Sequence, residues 1–231
     1  MSRILVTGAG SGLGAALVNT LKDAGHIVHP FDHSAHEEDP EFGDVRRPED
    51  TYGPCPNIDV LINCAGVNIT GWLDDFSEAQ WDLVMDTNAK GIFKMTQWAY
   101  EPLRRNRGTV LNIVSNASHM PMTTSLAYNA SKGAAHIMTL QLARELTKKN
   151  GITVFGISPN KLKGTGMSRD IEEQVVKTRG WTAEFAEKYQ RDALLCGEET
   201  DPMELARFIR YLLTSKAHHK FLTGCVLPYG A

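Results

Sequence analysis

The feature that most restricts the fold is an alternation of short, continuous apolar runs with longer segments of helical spacing. The runs "RILVTG" (3–8), "HIVHPFD" (26–32), "DVLINCAG" (59–66), "GTVLNIVS" (108–115), "ITVFGISP" (152–159) and "FLTGCVLP" (221–228) read as strands. A half-exposed sheet would alternate apolar with polar residues, whereas continuous runs suit strands covered by helices on both faces. Between them, helical patterns fill 13–25, 77–103, 127–150 and 202–215, the first of them stopped by Gly25. The alternation predicts an α/β fold: a Rossmann-type doubly wound parallel sheet of about seven strands with helices on both faces. No linker, repeat or low-complexity stretch interrupts it, so a single domain is expected over 1–231. Two segments break the rhythm. Residues 33–58 are polar and short of helical pattern, so the crossover there is abbreviated. Residues 160–200 form the longest interval between a strand and a helix, and such an excursion predicts a lid over a site.

Charge excludes some functions. The 24 Lys and Arg against 27 Asp and Glu give a net charge of −3, which offers no basic excess to neutralise phosphates, so no nucleic-acid partner is expected. Cys55, Cys64, Cys196 and Cys225 form no C-x-x-C pair, so neither a zinc site nor a disulfide framework is indicated and a reducing cytoplasm fits. No apolar run approaches the ~20 residues of a membrane span. The chain passes from Met1 straight into an apolar strand, which predicts no signal peptide and a cytoplasmic protein without a membrane partner.

The first strand runs into "VTGAGSGLGAAL", with Gly8, Gly10, Gly12 and Gly14 ahead of the first helix. Glycines allow a tight turn and close approach of a pyrophosphate, and the helix N-terminus adds free N–H donors. Asp32 ends the second strand, where a carboxylate can accept from both hydroxyls of an adenosine ribose and repel a 2′-phosphate. No Lys or Arg lies in the glycine loop, and none follows Asp32 until Arg46, so the expected cofactor is NAD rather than NADP. The bland alternative for Asp32 is an exposed turn residue. Further along, Tyr128 and Lys132 stand four residues apart, on one face of a helix. Small residues surround them: Ala127, Ala130, Ser131, Gly133 and Ala134.

Taken together, these motifs resemble the short-chain dehydrogenase/reductase family in its compact single-domain branch. "TGAGSGLG" (7–14) matches T-G-x-x-x-G-x-G, "NCAG" (63–66) matches N-[AN]-A-G with cysteine at the variable position, and "NAKG" (88–91) matches N-x-x-G. "DV" (44–45) resembles the pair beside the adenine, and Ser115 precedes "YNASK" (128–132), a match to Y-x-x-x-K, by thirteen residues. The resemblance spans 3–230. It implies a nicotinamide cofactor held by Gly8, Ser11, Gly12, Leu13, Gly14, Asp32, Asp44, Val45, Asn63, Ala65, Gly66, Tyr128, Lys132 and Pro159. It also implies catalysis by Asn88, Ser115, Tyr128 and Lys132, and substrate contacts from Ser115, His119, Tyr128 and Asn160. The implied reaction is reversible hydride transfer between the nicotinamide and a secondary alcohol or ketone. A free phenol titrates near ~10, so Tyr128 needs a nearby cation to act as acid and base near neutrality, and Lys132 is expected to lower its pKa and bind the ribose. Ser115 polarises the substrate oxygen, and Asn88 kinks its helix and holds a proton-relay water.

The sequence also departs from the family pattern. Asn160 follows Pro159 where glycine is usual, which predicts a polar side chain beside the reacting carbon. The expected loop threonine falls at Gly164, with Thr165 one position later. In the excursion, Leu162, Met167, Trp181, Phe185, Tyr189 and Leu194 mix with Lys161, Lys163, Arg169 and Arg191. They suggest an apolar wall with a cationic rim, although the aromatics can equally be the lid's own packing. "HSAHEED" (33–39) and His218-His219 read as solvated polar surface, with no metal expected. The competing function is an NAD(P)-sensing binding protein without turnover. The family often forms homotetramers through its two long helices, here 77–103 and 127–150, so a dimer or tetramer is expected.

Overall fold

The computed structural model describes residues 1–34, 42–214 and 219–230. Six parallel strands form one sheet: β1 (Arg3–Thr7), β2 (Ile27–Phe31), β3 (Val60–Asn63), β4 (Thr109–Ile113), β5 (Thr153–Pro159) and β6 (Val226–Tyr229). Their order is β2-β1-β3-β4-β5-β6. The sequence pattern indicated about seven strands. Among the described residues, pairing beyond β2 continues only as one parallel bridge between Asp32 and Phe42, in keeping with the abbreviated 33–58 segment.

The continuous apolar runs have a simple cause. Successive strand side chains point to opposite faces, and both faces are covered. Ile4, Val6, Val60, Ile62, Leu111 and Ile113 pack under α1 (Gly12–Asp23) and α9 (Pro202–Thr214), meeting Leu13, Leu17, Leu205 and Ile209. Leu5, Leu61, Val110 and Val154 point the other way, towards Met95, Leu103 and Ala143. Every one of these strand residues is buried, and each contributes about 1.5–3 kcal/mol by leaving water.

The single helix expected over 77–103 is divided. The pieces are α3 (Glu78–Met85), a π-helical turn (Asp86–Lys90), α4 (Gly91–Trp98) and α5 (Tyr100–Asn106). Ser77 and Gln80 start α3 with a reciprocal capping box. Among the described residues of the 33–58 crossover the helix is a short α2 (Pro48–Tyr52), while α6 (Leu126–Asn150) runs unbroken and ends at Gly151, φ 69°. The last strand begins later than its apolar run. "KFL" forms a 3-10 turn and Gly224 turns the chain at φ 76° before β6 pairs with β5. The 160–200 excursion folds as α7 (Gly166–Arg179) and α8 (Ala183–Asp192).

From β1 the chain moves one way to β2 and the other way to β3. That reversal opens a crevice at the carboxyl ends of the strands, the place where open α/β sheets bind ligands.

Candidate active site

A cavity of about 710 Å³ occupies this crevice. Of the residues the sequence singled out, Gly8, Ser11, Gly12, Leu13, Gly14, Asp32, Asp44, Val45, Ala65, Gly66, Ser115, Tyr128, Lys132, Pro159 and Asn160 line it. Asn63, Asn88 and His119 are not on its wall.

The glycine loop is built for an approach that no side chain would permit. A Cβ on Gly14 would sit 1.9 Å from the Gly8 carbonyl oxygen, and one on Gly8 would sit 2.7 Å from Ala65 Cα. Thr7 Oγ1 ties this loop to the β3 exit by accepting the Cys64 and Ala65 N–H groups, both at 3.0 Å. Ser11 precedes α1 without a side-chain cap bond, so no side chain at the N-cap takes the first N–H groups of α1. A dinucleotide pyrophosphate suits such a cradle. At the tip of β2, Asp32 Oδ2 accepts Gly10 N–H at 2.7 Å, while Oδ1 accepts the Ser34 N–H at 2.7 Å and the Ser34 hydroxyl at 2.5 Å. Burial alone would raise the Asp32 pKa, but these hydrogen bonds, led by the Ser34 hydroxyl, hold it below the usual carboxylate value. Asp44 is also occupied: Arg46 meets it with Nη2 at 2.6 Å and Nε at 2.9 Å.

Three polar groups converge at the other end of the strands. Ser115 leaves β4 and takes the Ala117 N–H on its Oγ at 3.2 Å. Tyr128 and Lys132 come from the first turns of α6, with Lys132 Nζ 5.7 Å from the Tyr128 ring centre. Lys132 is 5% exposed and donates to the Ile113 carbonyl at 3.0 Å. Burial pushes its pKa down to about 8. Burial also raises the Tyr128 phenol, and the hydrogen bond with Ser115 opposes this only in part. The expected lowering of Tyr128 by Lys132 is therefore absent from the balance of the chain's own groups. Desolvation wins, with the ammonium bonded to the Ile113 carbonyl and 5.7 Å from the ring centre.

Asn88 stands behind this trio. Its Oδ1 accepts Val67 N–H at 2.8 Å, and its Nδ2 donates to Val67 O at 2.8 Å and to Ser131 Oγ at 3.0 Å. Both amide N–H donors are thus engaged, while Oδ1 keeps one free acceptor position. Asn63 corrects another expectation. It is 4% exposed and donates to Asn112, which donates to Thr139 at 2.9 Å, a buried polar chain that fixes β3 to β4 and α6.

Above the trio, α7 closes the cavity. Met167, Ile171, Val175 and Arg179 are spaced by four, share one helix face and all line it. The C-terminal half of α7 is fastened to the opposite wall. Gln174 Oε1 accepts from Thr70 N–H at 2.9 Å and from its hydroxyl at 3.0 Å, Trp72 Nε1 donates to Thr178 O at 3.2 Å, and Arg179 donates to Thr123 O. The cationic rim anticipated from the sequence is corrected. Lys163, Arg169 and Arg191 do not line the cavity. Lys161 does, but it is paired with Glu199 at 2.8 Å and with Glu172 at 2.5 Å. Trp181, Phe185 and Tyr189 pack on one another, with centroids 4.9–6.3 Å apart. Sequence reasoning missed Arg179 and Asn68. The signal for Arg179 was its place on the Met167–Ile171–Val175 stripe. Asn68, a lining residue whose amide oxygen and nitrogen are both buried without a partner, carried no local signal.

Comparison with known proteins now decides the family. A model described as short chain dehydrogenase matches residues 49–176, more than half of the chain. The chain is 30% identical to the 2,3-dihydro-2,3-dihydroxybenzoate dehydrogenase of Escherichia coli K12, over 99% of this chain and 96% of that protein. It is likewise 30% identical to the sorbitol-6-phosphate 2-dehydrogenase of Klebsiella pneumoniae, over 96% and 91%. Among solved structures, an actinorhodin polyketide ketoreductase with NADPH superposes with a TM-score of 0.82 at 26% identity, over 98% and 94% of the two chains. The chain belongs to the short-chain dehydrogenase/reductase family. Members of that family are nicotinamide-dependent oxidoreductases, and the glycine cradle here fits such a cofactor.

Two sequence departures from the short-chain dehydrogenase/reductase pattern, and one expected substrate contact, now have a physical account. Asn160 does not offer its amide to the cavity. Its Oδ1 accepts from Thr200 N–H at 3.0 Å and from the Thr200 hydroxyl at 2.5 Å, and its Nδ2 donates to Glu198 O at 3.0 Å and to Gly230 O. It pins the 196–200 turn to the C-terminal segment, so the expected polar group beside the reacting carbon is corrected. Thr165 caps α7 by accepting Ser168 N–H at 3.1 Å and lies against Gly12, whose added Cβ would come 3.4 Å from Thr165 Cγ2. His119 is exposed, with Nδ1 3.1 Å from Ser118 Oγ, and Met120, Pro121 and Met122 form the wall in its place. No described helix is long and apolar enough to cross a membrane, and the described residues contain no cluster able to hold a metal. His36, the acids at 37–39 and His218 lie outside the described residues.

Proposed function

We propose that the chain is an alcohol dehydrogenase or carbonyl reductase that prefers NAD(H). The observation that carries this reading is the convergence of Ser115, Tyr128 and Lys132 on one wall of a cavity whose other end is the glycine cradle. A bound nicotinamide supplies the site that gives or accepts hydride. Ser115 donates to the substrate oxygen and stabilises the charge that develops there. Tyr128 gives that oxygen a proton in reduction and takes it in oxidation. The Ser115 hydrogen bond already works against the burial that raises the phenol, and a cationic nicotinamide adds to this. Lys132 holds the ribose and replenishes the proton. Asn88 shapes the helix, and its π turn frees backbone carbonyls that can hold the relay water.

Asp32 supports NAD. It is held ionised at the tip of β2, where a 2′-phosphate would meet a fixed negative charge. Arg46, the nearest following cation in sequence, is neutralised by Asp44. The 160–200 excursion serves as the substrate lid of a single cytoplasmic domain. Exposed Phe93 and Ile137 on the two long-helix segments support a homo-oligomer.

A broad ketone panel assayed with NADH and NADPH tests this reading. Turnover with NADH above NADPH is expected. Tyr128→Phe should keep NADH binding, seen by fluorescence, while losing at least about 100-fold in kcat. Full activity in Tyr128→Phe would sink the assignment. Binding of NADH with no consumption across the panel would turn the reading to the sensor.

A further inference from the structure

Four Lys or Arg residues line the cavity, and three have an evident occupation. Arg46 is paired with Asp44, Lys161 with Glu172 and Glu199, and Lys132 belongs to the catalytic trio. Arg179 is different. Among the described residues it has no carboxylate partner. One nitrogen donates to Thr123 O, the guanidinium lies 4.8 Å from the Trp181 ring centre, and Nε is buried with no acceptor. A guanidinium carries five donors and keeps its charge, and a buried donor left unmade is costly. This one ends the inward stripe of Met167, Ile171 and Val175, so it is the cationic terminus of an apolar wall.

The cofactor's phosphates do not account for it. The start of α7 touches the glycine cradle at Thr165 and Gly12. Arg179 is at the other end of the same helix, about 20 Å away at 1.5 Å per residue. It lies instead against the 116–125 segment that joins Ser115 to Tyr128.

We propose that Arg179 reads an anionic group on the substrate, so that the alcohol or ketone of this enzyme carries a carboxylate or phosphate on a largely apolar body. The Nε–H and a guanidinium N–H would grip two oxygens of that group. The apolar stripe would cover the body, and the unpartnered Asn68 amide would meet one further polar substituent. This rests on the hydride-transfer reading above.

The test uses the enzyme with NADH and three matched ketones: 4-acetylbenzoate, 4-acetylphenyl phosphate and methyl 4-acetylbenzoate. In the native enzyme at least one anion should exceed the neutral ester about 10-fold or more in kcat/KM, and which anion leads separates carboxylate from phosphate. Arg179→Gln should remove at least about 10-fold on that anion, mainly through KM, and much less on the ester, while Arg179→Lys retains part of the preference. Gln174→Ala loosens the same helix without touching the cation, so it should lower anion and ester alike. An ester that equals or beats both anions, or an Arg179→Gln loss that is equal on all three, overturns the proposal and leaves Arg179 as a lid strap. A second readout does not need turnover. Benzoate, but not benzamide, should change tryptophan fluorescence through Trp181 in the native enzyme and not in Arg179→Gln. If no ketone is reduced and this difference is present, the hydride-transfer reading fails while the anion site stands. If the difference is absent too, both fall.

Discussion

The two ends of the cavity are built on different terms. At the cofactor end the chain uses backbone on strand tips, and its polar groups answer one another: Asp32 with Gly10 and Ser34, Asp44 with Arg46, Thr7 with Cys64 and Ala65. At the substrate end it uses side chains on added helices, and it leaves polar atoms of Asn68 and Arg179 unanswered. A cofactor end shared by many relatives can be fixed in the fold. A substrate end must keep its hydrogen bonds for a particular ligand, since buried donors left unpaired discriminate against everything that fails to meet them.

The sharpest way to break this contrast is to add one methyl group to the cradle and one to the helix that closes the cavity. Gly14→Ala puts a Cβ 1.9 Å from the Gly8 carbonyl oxygen, a backbone atom that cannot swing aside. It should cost more than about 3 kcal/mol in urea unfolding and abolish NADH binding. Gly166→Ala, at the start of α7, meets nothing within 4 Å and should be neutral or slightly stabilising. Equal costs at the two positions would mean that the cradle is no more constrained than the lid.

A smaller effect comes from Lys132. Folded, it gives up its proton near pH 8, against an ordinary lysine value of 10.5. Between those values the unfolded chain binds more protons, so stability rises with pH across that window. Lys132→Met has no such proton. The native protein should therefore gain on it as pH climbs from about 8 to 10.5, by at most about 3 kcal/mol at roughly 1.4 kcal/mol per unit. Urea unfolding of both proteins at pH 7, 8, 9 and 10 measures the gap. A constant gap would show that burial does not tax the ammonium.

The same contrast explains what was legible. The sheet was readable because its central strands hide both faces, so Ile4, Leu5 and Val6 are all apolar although alternate residues point to opposite helices. The glycine cradle was readable because its requirements are local: a missing Cβ, a turn, a helix start. Where the sequence misled, long-range partners decided. Asn160 is polar for Thr200, Glu198 and Gly230, which are 38 to 70 positions away. The 221–228 run looks like one strand until Gly224 turns it. The 77–103 run has unbroken helical spacing, and the π turn at Asn88 follows from a side chain clamped to Val67, 21 positions back. In the excursion, Lys161, Lys163, Arg169 and Arg191 looked equivalent, and Arg179 did not stand out until α7 gave it a face. The stripe of four-residue spacing puts Arg179 on the cavity and leaves Arg169 on another face of α7, while Lys163 precedes that helix and Arg191 lies on α8, and none of these three lines the cavity.

The smallest expected effect tests how far the cofactor end is closed upon itself. Asp32 already accepts three hydrogen bonds, and a carboxylate has about four acceptor positions. To take both hydroxyls of an adenosine ribose it must give up the Ser34 hydroxyl, while the Gly10 and Ser34 N–H bonds keep the carboxylate oriented and ionised. Asp32→Ala should therefore weaken NADH and cut the NADH-over-NADPH ratio of kcat/KM by about 10-fold, because it removes the ribose acceptor and the charge facing a 2′-phosphate together. Ser34→Ala leaves that charge in place and frees one oxygen, so it should keep the preference and tighten NADH by about 2–3-fold, within the range of one exchanged hydrogen bond. An unchanged ratio in Asp32→Ala would return Asp32 to a turn residue. A loss of NADH affinity in Ser34→Ala would mean that the serine hydroxyl itself touches the cofactor, and that this end too keeps a group in reserve for its ligand.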